Sequence, residues 1–363
     1  MGTSSKRRIS FLVSEPHYFD HLAPIYLALP EDSRGTFYVL RLPFPKIFGR
    51  LAPIKRWWRN RSLRHVIDGI VEKAKRRGIA TVAIKERYNL DPQSVVVVAG
   101  IQDYLHVRGS VPEVAYLEHG AGQTYATNGA GDINQPGGPG RDNISLRLCT
   151  TKRVADIESR IYPHSRSVVV GAPKLDALIE FENPRSTPPV VAISFHWDNS
   201  IAPEAMSAFP HYSQVLPQLT DVPYTVLGHS HPQREHARRM QQYYGQVGIR
   251  FVPEFDDIVR QADVYVCDNS STLFEFATLD RPVVVLNAPW YRRDVNHGLR
   301  FWEYADIGVQ VDSPDDLIAG IAEALNDSPA RQARRREIVN ELYPFLGHAA
   351  QHAATQLVEH FQS

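Results

Sequence analysis

This chain has almost no cysteine, little methionine, no net charge and no long apolar run. Its 363 residues include two cysteines, Cys149 and Cys267, and three methionines. Two cysteines make no disulfide framework and fit a reducing compartment. Cys267 lies in an apolar run and reads as a packed core residue. Forty basic and forty acidic residues cancel, so no global field draws the chain to nucleic acid. No apolar stretch reaches the roughly 18 residues that a membrane-crossing helix needs. Near the start, Lys6-Arg-Arg8 is followed by Ile9–Val13, too short an apolar run for a secretory signal. Lys6 also stands where a myristoylation signal needs Ser or Thr. The expectation is a cytoplasmic protein, or one at the inner face of the cell membrane.

What is present is an alternation of short apolar runs with helical spacing. Ile9–Val13, Thr36–Leu42, Thr81–Ile84, Ser94–Ala99, Val114–Leu117, Asn143–Thr150 and Ser167–Val170 read as strands, with helical segments at Pro24–Leu29 and Val66–Arg77. Phe181–Pro189 carries three prolines and reads as a linker. The pattern then restarts with strands at Val190–Phe195, Tyr224–Leu227, Arg250–Val252, Val264–Cys267, Val283–Leu286 and Val309–Val311. Helices are expected at Pro314–Leu325 and Ala330–Leu342. The expected class is α/β with parallel sheets: one domain over 1–180, a second over 190–345, and a C-terminal helix over 346–363 packing back on the first. Two such halves facing one another hold ligands in the cleft between them. Residues 123–143, rich in Gly, Asn and Pro, read as a long mobile loop.

Asp268-Asn-Ser-Ser-Thr-Leu-Phe-Glu275 follows an apolar strand and opens a helix. Thr272 and Glu275 have capping-box spacing, with the threonine as N-cap. Hydroxyls and free N–H groups at such a helix start favour a phosphate; the plain alternative is an ordinary capped helix. Asp280-Arg-Pro282 stops that helix. A second constellation is Leu227-Gly-His-Ser-His-Pro232. His229 and His231 lack a third nearby ligand, so a phosphate-directed imidazole is favoured over a metal, and His231 over His229. A third is Tyr116-Leu-Glu-His-Gly-Ala-Gly-Gln123, where a strand ends in His119-Gly120. Glycines admit a close ligand and the histidine can accept a proton, or merely bond its own turn. Gly171-Ala-Pro-Lys-Leu-Asp176 reads as a structural turn.

Lys46–His65 holds seven Lys or Arg and no acid, interleaved with aromatics. Lys55 and Arg56 within it suit an anionic acceptor or an anionic membrane surface, or a solvated basic helix. Arg292 and Arg293 suit a phosphate or plain solvent. Arg331–Arg336 reads as an exposed helix face.

In this order these pieces resemble the CDP-glycerol glycerophosphotransferase family, the teichoic-acid type polymerases and primases. Glu118-His119-Gly120, Gly171-Ala-Pro-Lys-Leu-Asp176, His231-Pro232, Asp268–Glu275 and Leu279-Asp-Arg-Pro282 match its motifs over roughly residues 110–325. Two positions depart from the pattern. Ala121-Gly122-Gln123 replaces Thr-Pro and a lysine, and Ser194-Phe-His-Trp-Asp198 replaces Pro-Thr-Trp-Arg.

The resemblance implies a GT-B fold, with two Rossmann-like domains and a nucleotide-diphosphate donor such as CDP-glycerol. It implies transfer of a glycerophosphate, or a related alditol-phosphate or sugar, to a hydroxyl of a cell-surface polymer or its lipid-linked precursor. His119 would be the base. His231 would hold the diphosphate, with Gly120, Asp268, Ser270, Ser271, Thr272 and Glu275 on the donor. No cofactor or metal is required, and nucleic acid is not a partner. Three other readings stay open. One is a GT-B glycosyltransferase. Another is a nucleotide-sugar 2-epimerase, for which Asp103, Glu118 and Asp198 are the available carboxylates. The last is a non-catalytic polymer-binding module.

Overall fold

A computed structural model describes residues 7–40, 66–85, 89–118, 120, 124–127, 131–134, 143–181, 186–198, 206–293 and 300–362. The chain divides into two compact units. The first comprises Met1–His119, Pro136–Asp176 and Pro344–Ser363, and the second Gly120–Gln135 and Ala177–Tyr343.

In the first unit, β1 (Ile9–Val13), α1 (Pro16–Ala28), β2 (Arg34–Leu40), a helix α2 over 66–76, β3 (Thr81–Ile84), β4 (Val95–Val98), α3 (Ile101–Val107) and β5 (Val114–Leu117) follow one another. The chain then forms an antiparallel pair, β6 (Thr124–Thr127) with β7 (Gly131–Asn134), which belongs to the second unit. The stretch read as one long loop over 123–143 therefore contains a hairpin. Alternation through Tyr125 and Ile133, which pair directly, was masked by the surrounding glycines and prolines. The first unit resumes with β8 (Ile144–Cys149), α4 (Lys152–Ile161) and β9 (Arg166–Val169).

Its seven strands lie in the order β3-β2-β1-β4-β5-β8-β9, all parallel. β4 is four consecutive buried valines, as a strand covered on both faces requires. One face packs Phe11, Phe37 and Val97 against α1 and against Ala353, Leu357 and Phe361 of the helix Ala349–Gln362. The other packs Leu12, Val96 and Val98 against Tyr104 and Val107 of α3.

The Gly171–Asp176 turn is structural. Gly171 has φ +77°, and a Cβ there would come within 2.1 Å of the Pro344 carbonyl oxygen. The Asp176 carboxylate accepts the N–H groups of Ala349 and Ala350 at 3.2 and 2.7 Å, capping the C-terminal helix. Gly171→Ala combines a left-handed backbone with a clash against main chain. It is expected to destabilise the first unit by roughly 1–3 kcal/mol or more, read as a fall in Tm.

The second unit runs β10 (Val190–Ile193), α5 (Phe209–Tyr212), β11 (Thr225–Gly228), α6 (Arg234–Gln246), β12 (Arg250–Phe251), α7 (Phe255–Gln261), β13 (Val264–Cys267), α8 (Ser271–Ala277), β14 (Val283–Leu286), β15 (Val309–Val311), α9 (Leu317–Leu325) and α10 (Pro329–Leu342), with Ala349–Gln362 as α11 of the first unit. Its six strands lie parallel in the order β12-β11-β10-β13-β14-β15. The strand order reverses between β10 and β13, so the loops leaving their carboxyl ends diverge there. That opening is where open α/β sheets hold ligands.

One surface expectation fails in α10. Arg335 is 1% exposed and donates to the Asp280 carbonyl at 3.0 Å and to Asp327 at 2.7 Å. Asp280 adopts φ +54° to end α8, which turns its carbonyl toward that guanidinium. The Arg331–Arg336 run is thus partly an anchor rather than a solvated face. Among the described residues no helix is long and apolar enough to cross a membrane.

Candidate functional site

Three adjacent strands of the second unit, β11, β10 and β13, end in loops rich in His, Ser, Asn and Asp. From β11 the chain enters His229-Ser230-His231. His229 is 4% exposed and its Nδ1–H donates to the Val252 carbonyl at 2.8 Å, so it holds two loops together. His231 is differently placed. Its backbone N–H donates to the Phe195 carbonyl at 3.3 Å, and its Nδ1 accepts the N–H of Gln233 at 3.1 Å. A ring nitrogen that accepts carries no proton, so in the neutral imidazole the proton is on Nε2. Gln233 in turn caps α6, its side chain accepting the His236 N–H at 2.8 Å. His236 gives its Nε2–H to the Phe195 carbonyl at 3.0 Å, and burial lowers its pKa, so it remains neutral.

From β10 the chain enters Ser194–Asp198. The His196 ring lies edge-on to His231 with centroids 5.0 Å apart, and Trp197 is 6.0 Å from the same ring. Asp198 accepts Ser207 N–H at 3.1 Å and pairs with Arg239 at 3.3 Å. It ties this loop to Ser207 and to α6.

From β13 the chain enters Asp268-Asn269-Ser270 and α8. The helix frame differs from the capping-box expectation. Ser270, at φ −94° and ψ 140°, is the N-cap, and its Oγ accepts the Thr272 N–H at 3.4 Å. Thr272 is already helical, its hydroxyl bonded to Ser270 Oγ at 2.9 Å and to the Tyr265 hydroxyl at 3.0 Å. Glu275 then falls past the first turn, 6% exposed, where it cannot cap. Four consecutive residues can each serve as N-cap, so spacing alone does not choose the frame. Ser271, at the first helical position, and Thr272 are both half-buried. Asp268 is fully buried, its oxygens accepting the N–H groups of His196 at 2.7 Å and Ala208 at 2.9 Å. Burial pushes its pKa up to about 7 against the pull of those two amides.

Arg292 and Arg293 follow β14 and are exposed. Arg293 pairs with Asp312 at 2.9 Å. Arg293 and Asp312, with His211, Asn287 and Ser313, line a cavity of about 190 Å³ at the ends of β14 and β15. Gly120 has φ +85°, a conformation that suits glycine. His119, Lys55, Arg56 and the whole of Lys46–His65 lie outside the described residues. Sequence reasoning passed over His196, Trp197 and Gln233, which set the His231 ring. The signal available was the Ser194–Asp198 departure itself, in the loop after the central strand. Among the described residues no group of three or more His, Cys, Asp or Glu is arranged to hold a metal.

In the first unit, Asp103 in the first turn of α3 is 0% exposed and accepts the Ser14 N–H at 3.3 Å through Oδ2. Burial pushes its pKa from 3.8 up to about 7. A carboxyl raised in this way adds no penalty below pH 3.8. Its cost grows as pH rises toward about 7 and is complete above that value. Asp103→Asn is therefore expected to raise Tm above pH 7, by on the order of 1–3 kcal/mol in stability. The gain should shrink to nothing near pH 4, as read by thermal denaturation of both proteins across that range. An equal difference at both pH values would refute the assignment.

Residues 211–359 match the model of the family described as CDP-Glycerol:Poly(glycerophosphate) glycerophosphotransferase. No curated protein sequence matches the chain. Among solved structures, the wall teichoic acid polymerase TagF soaked with CDPG is similar at 11% identity and TM-score 0.62, over 98% of this chain and 88% of that one. The UDP-GlcNAc 2-epimerase from Neisseria meningitidis bound to UDP-GlcNAc is similar at 13% identity and TM-score 0.57, over 97% and 98%. The S. aureus MnaA–UDP co-structure is similar at 15% identity and TM-score 0.56, over 98% and 96%. At such identities the structural likeness speaks for the fold, two Rossmann-like units of α/β class. The segment that resembles that family, residues 211–359, contains His231, the Asp268–Glu275 stretch and Leu279–Pro282.

Proposed function

We propose that the protein transfers a glycerophosphate, or a related alditol-phosphate or sugar, from a nucleotide-diphosphate donor such as CDP-glycerol to a hydroxyl of a cell-surface polymer or its lipid-linked precursor. The observation that carries this reading is the state of His231. Its Nδ1 accepts the Gln233 N–H, so the neutral ring carries its proton on Nε2, in the loop after β11 of the sheet whose β13 leads into α8. In the glycerophosphate case the acceptor oxygen attacks the phosphorus that bears glycerol. The new O–P bond forms as the bond to the bridging oxygen breaks, and the nucleoside monophosphate leaves. His231 Nε2–H stabilises the charge that develops on the leaving group. Ser271 and the first N–H groups of α8 hold the other phosphate oxygens, with the Ser270 cap shaping that turn. His119 takes the proton of the acceptor hydroxyl. Glu275 serves the nucleoside side of the donor. The reading needs no resident cofactor, and Lys46–His65 supplies contact with an anionic membrane or acceptor at the inner face of the cell membrane.

The test is product analysis with a panel of radiolabelled nucleotide donors. Label carried from CDP-glycerol to a polymer or lipid-linked acceptor supports the proposal. Transfer only from a nucleotide sugar replaces it with glycosyl transfer. Isomerised donor without transfer replaces it with epimerisation, and polymer binding without turnover with a binding module.

A further inference from the structure

Asp268 was expected on the donor, but its carboxylate is fully buried and both oxygens are taken by main-chain amides. Those amides belong to His196, in the loop after β10, and Ala208, just before α5. The segment Phe195–Trp197 makes three contacts to His231. The Phe195 carbonyl accepts its backbone N–H at 3.3 Å, and His196 and Trp197 lie 5.0 and 6.0 Å from its ring. The His196 ring is itself oriented, with Nδ1 donating to the Trp197 carbonyl at 2.9 Å. The same Phe195 carbonyl receives His236 Nε2–H at 3.0 Å, fixing the start of α6. Asp268 is thus the tie through which β13 sets the segment that aims His231.

We propose that Asp268 is a positioning residue for His231, acting through the His196 amide rather than on the donor. This deepens the transfer reading and rests on His231 having the role given to it there. The physical reason for a carboxylate is geometric. Two N–H donors converge on two oxygens, and only a carboxylate presents an acceptor to both. Asparagine accepts one and turns its NH2 against the other, which leaves a buried N–H unpaired.

Two measurements test this. The first needs no substrate. Ring ¹⁵N NMR of His231 in the wild type should show one neutral tautomer, protonated on Nε2. Asp268→Asn should shift that resonance toward a mixture of tautomers, and His196→Ala, which keeps the amide tie but removes the ring contact, should shift it less. The control Asp198→Asn, which removes the ion pair with Arg239 and perturbs only the tie to Ser207, should leave it in place. The second is a mutant cycle on turnover. Asp268→Asn alone is expected to lower kcat roughly 10–100-fold, and in a His231→Asn background to lower it less than about twofold. An unchanged His231 resonance in Asp268→Asn, with circular dichroism showing the fold intact, overturns the proposal, as do losses that multiply in the double variant. If no donor in the panel is turned over while the resonance shifts as described, the transfer reading fails and the positioning role stands.

Discussion

Replacing His119 by alanine is expected to lower kcat for transfer by ~10²–10⁴ and to leave the dissociation constant for CDP unchanged. The hydroxyl of a polyol is a poor nucleophile until its proton has somewhere to go, and a positioned imidazole supplies that without charge at neutral pH. The assignment predicts the shape of the pH profile as well as the size of the loss. With His119 present, kcat/KM should rise with pH as the base loses its proton and then level off. In His119→Ala that limb should disappear and only a slow, base-dependent rate remain. A variant that turns over at the wild-type rate, or keeps the same limb, would remove His119 from the reaction.

The second large effect is expected at His231. His231→Asn should cost ~10²–10³ in kcat, the usual range for loss of one donor aimed at developing charge. It should have little effect on Tm. Asparagine can present its carbonyl oxygen where Nδ1 now accepts Gln233 N–H, so the start of α6 stays capped. It is too short to replace the Nε2 proton. The comparison with His229 sharpens the test. His229 is buried and donates to the Val252 carbonyl, so His229→Ala should lower Tm by opening that loop contact. A His231→Asn enzyme with near-normal turnover would move the diphosphate-holding role elsewhere.

The strands were legible because parallel strands covered on both faces need unbroken β-branched runs. Val264–Cys267 and Val283–Leu286, buried throughout, fall where those runs lie, and Thr81–Ile84 and Val309–Val311 form the partly exposed edge strands. What was not legible depends on partners far along the chain. Arg335 reads as one of a row of exposed cations until Asp280, 55 residues earlier, turns its carbonyl toward it. Asp268 reads as a ligand residue because it sits where ligands bind. Its actual partners are amides 72 and 60 residues away in sequence, and no local spacing announces them. The α8 frame failed for the opposite reason, since Ser270, Ser271 and Thr272 offered too many equivalent caps within one turn. For the candidate site, the strand ends that carry His231 and Ser270–Thr272 could be read in advance. The rings and amide ties that orient His231 could not.

The first unit's core is completed by Ala353, Ala354, Leu357 and Phe361 of α11, whose N-terminus is capped by Asp176. A ribosome makes those residues only after Ala177–Tyr343. The bulk of the second unit, Ala177–Tyr343, is one contiguous stretch that can fold as it emerges. The sheet made first must meanwhile wait with one apolar face unfilled. During synthesis that face is the surface a chaperone would have to cover, and its exposure lasts until α11 has emerged behind the second unit.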